Sequence, residues 1–540
     1  MGVAAATALG GTVAAPASAA PRTGAGRAVR TESGLVSGVP AALDGITVYK
    51  GIPYAASTAG ENRWRAPQPA PSWKGIRKAD TWGPACPQPV TGIDADKVPP
   101  LSEDCLNLNV WTGAASSRER RPVFVWIYGG RNSAMWSGQP VYDGANLAAK
   151  GAIVVTFNHR VGAFGSLAHP ELSAETGHGS GNWGAQDTVA ALKWIRRNIA
   201  AFGGDPDRVT LAGWSHGSSF VNILMISKLA RGLFHRALLS SGVQYTKDPS
   251  LGHVAGGYDT LAAAEANGTA FASYMGASSL ADLRALSADE IVSKVYAPGA
   301  PAAGTDFGNV LDGYVLPTTY TGAMESRTEY DIPVLTGNSK DENGASPTLA
   351  MTVAQYQAYA TTTFGDQAAD FLKLYPATTD TEAAAQYNAY ARDEERVSTF
   401  LWGTQFRNTV GNRSPVYNYW WTHAPPGSDT TNPIMPAQDA ASAGAYHGSD
   451  LYYLFGGLAG TDRPWTEEDY SIADTVSSYV AHFAATGNPN GRGLAAWPAL
   501  RTTKPLAMEL GDAITAVPAA DSDAKYAFLK EYLEAQTTAY

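Results

Sequence analysis

A serine hydroxyl becomes a useful nucleophile only when a base takes its proton and a third group orients that base. The serine placed for such work here is Ser215, in Gly213-Trp214-Ser215-His216-Gly217. A short β-branched run, Val209-Thr210-Leu211-Ala212, precedes it, and Phe220 to Leu229 (FVNILMISKL) follows with apolar residues at helical spacing. Strand, tight turn and helix together are what a G-x-S-x-G nucleophile elbow requires. The two glycines let strand and helix approach closely, while the turn lifts the hydroxyl towards the helix N-terminus. The pentapeptide by itself also describes an ordinary serine in a Gly-rich turn, so the flanking elements carry the reading.

Along an α/β-hydrolase chain the nucleophile comes first, then an acid, then the histidine. Of the nine histidines, His423, His447 and His482 lie late enough. His482 falls in an amphipathic helix and reads as packing, and His423 follows an aromatic strand. His447, in Tyr446-His447-Gly448-Ser449-Asp450, has the freedom of a glycine-containing loop and is the better base. The acid is Asp341 or Glu342, just beyond an apolar strand ending near Thr336, where the C-terminal end of a parallel strand would carry a site. Spacing does not choose between them, and either could be a solvated loop charge. An oxyanion hole needs fixed N–H donors. Tyr128-Gly129-Gly130-Arg131-Asn132, directly after the apolar run Val123–Ile127, is placed to supply them, with the N–H of His216.

The elements that must hold these residues follow from periodicity. Val123–Ile127 (VFVWI) and Ile153–Phe157 (IVVTF) are unbroken apolar runs, as strands buried on both faces read. Helical periodicity over Asn182–Ala201 separates the second run from the elbow strand, and Ala237–Leu239 and Val334–Thr336 continue the series. Strands alternating with helices predict an α/β fold, with a central, mostly parallel sheet and helices on both faces. Residues 255–325 and 350–410 read as helical insertions over the C-terminal edge of the sheet, forming a substrate gorge. Capping-box patterns stand at Ser287–Glu290 and Thr352–Gln355. Before the sheet, alternation up to Gly51 predicts small antiparallel hairpins. Gly51–Tyr54 and Arg63–Trp82 read as extended, surface-hugging chain, and Ser102–Val110 leads into another strand. Late in the chain come a strand over Val416–Trp421 and a helix over Tyr470–Thr486.

With 540 residues, 44% hydrophobic, and no linker-like tract, one large domain over 20–540 is expected. The net charge of −10 is mild for this length and no basic stripe occurs, which argues against nucleic acid as a partner. No apolar run of roughly 18 residues free of turn formers follows the N-terminus, so no membrane insertion is expected. The first 19 residues, Ala-rich and ending in Ala17-Ser18-Ala19, read as a signal peptide lacking its basic start, or else as an Ala/Gly tail. Two cysteines, Cys86 and Cys105, suit one disulfide closing a loop of about 20 residues in an exported, secreted chain, worth ~3 kcal/mol in the chain-entropy model.

The sequence resembles the type-B carboxylesterases, which include the cholinesterases, from about Val29 to Ala499. The resemblance rests on Glu103-Asp104-Cys105-Leu106-Asn107-Leu108-Asn109-Val110, on Phe202-Gly203-Gly204-Asp205-Pro206 leading to the elbow, and on the segments at Gly51–Tyr54, Asn158–Gly165, Ser180–Gly184, His447–Leu451 and Gly487–Gly491. It implies an α/β-hydrolase fold and ester hydrolysis through an acyl-enzyme, with Ser215, Glu342 and His447 as the triad. It further implies oxyanion donors at Gly130, Arg131 and His216, a Cys86–Cys105 bridge, and ion pairs of Arg160 with Asp187 and Arg63 with Glu103. The chain departs from the family pattern at Trp214 and His216, where the family has Glu and Ala. It departs again at Arg131-Asn132, where the family has a small residue and an aromatic one, and at an extra-looking Asn343.

These features predict an exported serine esterase acting on small-molecule esters as a monomer, with no metal and no organic cofactor. An acyltransferase or cyclase using the same acyl-enzyme, and a silent interaction domain, are the rival readings. Asn132 and Trp214 are expected to line the substrate pocket. Arg131 is expected either to favour an ester bearing a carboxylate or several hydroxyls, or to turn outward onto a surface acid.

Overall fold

The structure is a computed structural model that describes residues 28–90, 97–253, 256–409, 411, 414–427, 440–537 and 540. The signal-peptide segment therefore lies outside the described residues. An eleven-stranded sheet forms the centre. In chain order its strands are β1 (Val39–Pro40), β2 (Thr47–Pro53), β3 (Asn107–Thr112), β4 (Arg121–Ile127), β5 (Ile153–Phe157), β6 (Gly204–Trp214), β7 (Arg236–Ser240), β8 (Val334–Ser339), β9 (Val416–Trp421), β10 (Leu506–Leu510) and β11 (Thr515–Pro518). In space they lie β11-β10-β9-β8-β7-β6-β4-β5-β3-β2-β1. Every pairing from β10 through to β5 is parallel. The antiparallel pairings are confined to the two flanks.

The apolar runs are continuous because successive side chains serve opposite faces of a sheet covered on both sides. Val123, Val125 and Ile127 enter one apolar cluster, while Phe124 and Trp126 enter the other. On the first face lie α1 (Trp183–Asn198), α2 (His216–Ile226) and the long α3 (Asp380–Thr409); α4 (Glu467–Thr486) packs on the second. The helix α4 begins with a capping box between Thr466 and Asp469, three residues before the predicted start. A full capping box is also present at Thr352 and Gln355, whereas Ser287 caps Glu290 N–H in one direction only.

The reading of Gly51–Tyr54 as surface-hugging chain is corrected, whereas Arg63–Trp82 is non-helical and lies mostly at the surface as expected, apart from Arg63, Trp64 and Ala79. Gly51–Pro53 ends β2, where left-handed Gly51 (φ 64°) sits in an irregularity of the pairing with β3, and Ile52 is fully buried. Trp64 is buried as well, its indole N–H donating to Ala163 O at 2.8 Å. Proline content argued against helix and said nothing about depth. The helical region 255–325 also contains a small parallel pairing of Tyr258–Thr260 with Asn309–Leu311, too short to read from periodicity.

Candidate active site

The adjacent order β8-β7-β6-β4 decides what meets at the C-terminal edge of the sheet. The acid loop leaves β8, Ser241 follows β7, Ser215 follows β6 and the glycine loop follows β4. Neighbouring strands lie roughly 4.8 Å apart, so the topology alone brings these four segments side by side.

Ser215 has φ 55° and ψ −123°, a backbone conformation that ordinary residues avoid, and it occupies the N-cap position of α2 without a side-chain capping bond. The turn is possible only because its flanks lack side chains. A Cβ on Gly213 would meet Gly217 C and O at 2.4 Å, and one on Gly217 would meet Ile127 O at 2.2 Å. The Ser215 N–H donates to Ser240 O at 2.9 Å, fixing the elbow to β7. The positive end of α2 points at the same spot.

The glycine loop runs left-handed through Gly130 (φ 86°), Arg131 (φ 52°) and Asn132 (φ 59°). Ser133 N–H and Oγ both donate to Gly130 O at 2.9 Å and hold the turn. Gly129 permits contact with the elbow, since a Cβ there would lie 2.9 Å from Ser215 Cβ. Among the described residues, the backbone N–H groups of Gly130, Arg131 and His216 have no protein acceptor. Three unengaged donors around a nucleophile suit a developing oxyanion.

Asp341 and Glu342, indistinguishable by spacing, are separated by the structure. Asp341 is an anchor, taking Arg392 at 2.5 Å on Oδ1 and the Ala445 N–H at 2.9 Å on Oδ2. Its own N–H donates to Ala445 O at 2.9 Å, so the acid loop and the histidine loop run together. Glu342 faces His447, with Oε2 against Nδ1, and Oε1 accepts from Ser241 Oγ (2.8 Å) and Ser339 N–H (2.7 Å). The Glu342 side chain is 2% exposed and that of His447 43%. His447 stacks on Trp214, with ring centroids 4.9 Å apart. Ser215 Oγ makes no hydrogen bond to His447 among the described contacts.

His423 is held away from the site, between Asp469 and Asp512 at 3.0 and 2.9 Å. His216 supplies only a backbone N–H. Its imidazole is buried against Phe220, and burial, then the charge of His159, push its pKa down to about 3. Trp214 is buried and fills the space between the glycine loop and the histidine loop: Cβ atoms built on Gly129 and Gly448 would both strike its ring. Asn132, expected to line the pocket, instead turns its amide inward to Ser166 Oγ at 2.5 Å. Arg131 is exposed and has no carboxylate partner among the described residues, so the expected outward pairing with a surface acid is absent.

Both ion pairs implied by the resemblance form. Arg160 meets Asp187 at 2.7 Å and Arg63 meets Glu103 at 2.6 Å, each pair buried; a bridge joins Cys86 to Cys105. Sequence reasoning missed Ser241, Ser339, Asp450 and Glu395. Asp450 accepts from Ser240 Oγ (2.9 Å) and Tyr419 OH (2.7 Å), and burial pushes its carboxyl up to about 6. The one signal for Ser241 was its place just past the strand beside the elbow strand. Glu395 gave none, lying far along the chain within a helix.

Residues 25–529 match the model of the carboxylesterase family. The chain is 34% identical over 483 residues to fumonisin B1 esterase of Sphingopyxis macrogoltabida, an alignment covering 87% of this chain and 83% of that protein. It is 30% identical over 489 residues to para-nitrobenzyl esterase of Bacillus subtilis, covering 87% and 92%. A solved structure of PNB esterase superposes with a TM-score of 0.73 at 28% identity, covering 94% of this chain and 99% of the other.

Proposed function

This chain belongs to the carboxylesterase family and is a carboxylic ester hydrolase, and on that premise we propose that it works through an acyl-enzyme on Ser215. His447 is the base and Glu342 the acid that orients it. One observation carries the reading above the others. The strained Ser215, the Glu342–His447 pair and three unengaged N–H donors all converge at the ends of adjacent parallel strands.

In the first half-reaction Ser215 Oγ attacks the ester carbonyl carbon while His447 Nε2 accepts the hydroxyl proton. The carbonyl oxygen becomes an oxyanion facing the N–H groups of Gly130, Arg131 and His216, each such donor being worth about 2.7–4 kcal/mol in the transition state. The carbon–oxygen bond to the alcohol then breaks and His447 returns the proton to the leaving oxygen. Water, deprotonated by the same imidazole, repeats the attack on the acyl-enzyme and frees the acid. Glu342 fixes the ring through Nδ1 and stabilises its positive charge. Catalytic hydrogen bonds commonly tighten only when substrate is bound, so the Ser215–His447 contact forms in the Michaelis complex.

Export is part of the proposal. A disulfide persists in oxidising compartments, and the Cys86–Cys105 bridge supports the signal-peptide reading of Ala17-Ser18-Ala19.

The test is kinetic. Ser215→Ala and His447→Ala should each keep the wild-type melting temperature and lose several orders of magnitude in kcat, because the group acts as a unit. A folded Ser215→Ala protein keeping more than about a tenth of the activity would remove Ser215 from the mechanism.

A further inference from the structure

The glycine loop carries its donors on a backbone that must be held in place. Arg131 and Asn132 are consecutive left-handed residues (φ 52° and 59°) without the freedom of glycine, and such strain persists only where surrounding contacts over-determine it. Among the described residues Arg131 makes no hydrogen bond of its own, so its neighbours fix the direction of its N–H. On one side, Ser133 closes the turn onto Gly130 O, which shapes the loop without tying it to the rest of the protein. On the other side stands Asn132, 1% exposed. Its main-chain oxygen accepts from the Gly162 N–H, and its Nδ2 donates to Ser166 Oγ at 2.5 Å and to Phe307 O at 3.5 Å. A carbonyl such as Phe307 O can only accept, which fixes the amide with its nitrogen inward.

Gly162 and Ser166 are the first and last residues of one short helix, so Asn132 grips that helix at both ends. All five residues of the helix are buried, and it is fixed in its turn. Trp64 donates to Ala163 O at 2.8 Å, and a Cβ on Gly165 would meet Arg160 O at 2.4 Å, Arg160 being paired with buried Asp187. Tyr296 OH also reaches the loop, at 3.2 Å from Ser133 O, but that contact is exposed and water can replace it. We propose that Asn132 is a positioning residue for the oxyanion hole: through its main-chain oxygen and its side-chain amide it holds the left-handed turn that aims the Gly130 and Arg131 N–H groups at the developing oxyanion. The proposal rests on the reading of those N–H groups as oxyanion donors.

Asparagine suits the position twice over. It enters left-handed backbone more readily than most residues, and its short amide donates inward. Where the family pattern has an aromatic residue, this chain therefore exchanges a pocket-lining side chain for a buried anchor. The anchor bears on the chemistry because an oxyanion donor acts by standing still as charge develops, and a donor that must first reorganise stabilises less.

The experiment compares Asn132→Gly with wild type in melting temperature, in kcat and KM per titrated active site, and in Ki for a trifluoromethyl ketone. Ser215 Oγ adds to the ketone carbon, its proton passes to His447, and the carbonyl oxygen becomes an oxyanion facing the donors. Asn132→Gly keeps the left-handed backbone and the bond from Gly162, and removes the amide alone. It should lower kcat about ten- to a hundredfold at unchanged KM, as misplacing a catalytic group does, and weaken Ki by the same factor. Ser166→Ala should do likewise, and the double variant should lose no more than the worse single one, since both remove the same bond. A folded Asn132→Gly with wild-type kcat would overturn the proposal, as would a loss in kcat with Ki unchanged or a loss confined to KM. Should Asn132→Gly fail to fold, Ser166→Ala decides by the same readings. Ser215→Ala is run alongside: if it stays active, the acyl-enzyme reading fails and the proposal with it. If Ser215→Ala is inactive while Asn132→Gly behaves as wild type, only the proposal about Asn132 fails.

Discussion

At the residue scale, charge near the nucleophile is arranged asymmetrically. Glu342 is buried and committed to His447, and Asp450 is buried with its carboxyl raised to about 6. Trp214, immediately before the nucleophile, is uncharged and packs on Gly129 and Gly448. Arg131 is an exposed cation of the glycine loop with no carboxylate partner among the described residues. A substrate carboxylate reaching that guanidinium would gain a charge-assisted, bidentate pairing, worth roughly 1.5–3 kcal/mol. We expect Arg131→Gly to lower kcat/KM about ten- to a hundredfold for an ester bearing a carboxylate. A matched neutral ester should change far less, and a cationic one should be unaffected or improve. Equal losses across the three would mean that Arg131 acts through the backbone of the loop alone. The imidazole of His216, its pKa pushed down to about 3 by burial, stays neutral at the pH of these comparisons.

At the element scale, the long helix α3 is more than an insertion over the sheet. Asn388, Arg392, Glu395 and Thr399 recur at helical spacing along one face, and each holds the acid loop. Asn388 exchanges two hydrogen bonds with Ser346 (2.9 and 2.8 Å), Arg392 takes Asp341, Glu395 takes Asn338 and Asn343, and Thr399 takes Asn338. A search for apolar periodicity finds the helix and passes over this polar stripe, because its partners lie on another element. The same reasoning explains why the elbow was legible: Gly213, Ser215 and Gly217 meet one another and the adjacent β4, all within a strand–turn–helix unit. The Cys86–Cys105 bridge ties the segment before β3 to the chain's early loops. If the protein is exported as proposed, material recovered from culture medium should gain two hydrogens in mass on reduction, located to Cys86 and Cys105. Free thiols at both positions would contradict the bridge and remove the main support for export.

At the scale of the whole molecule, function follows from strand order. The parallel core was legible because strands buried on both faces leave unbroken apolar runs; Val123–Ile127 and Ile153–Phe157 are the strongest. The flanking strands Val39–Pro40 and Thr515–Pro518 are short and partly exposed, and left little pattern to read. Spacing singled out the candidate nucleophile and the histidine loop, yet could not tell Asp341 from Glu342. The family resemblance chose Glu342, and the packing gives the physical difference: one carboxylate faces Arg392 and the other faces His447. What no local pattern could show is which distant side chains meet, and that is where Ser241, Asp450 and Glu395 lay hidden. The central claim is that one acyl-enzyme forms per chain, on Ser215. Its most direct test is titration with an organophosphate ester, followed by peptide mapping by mass spectrometry. We expect complete inactivation at one equivalent, a single adduct on the peptide containing Ser215, and no adduct in Ser215→Ala. Inactivation with the adduct on any other residue, or full activity in a protein already labelled at Ser215, would contradict it.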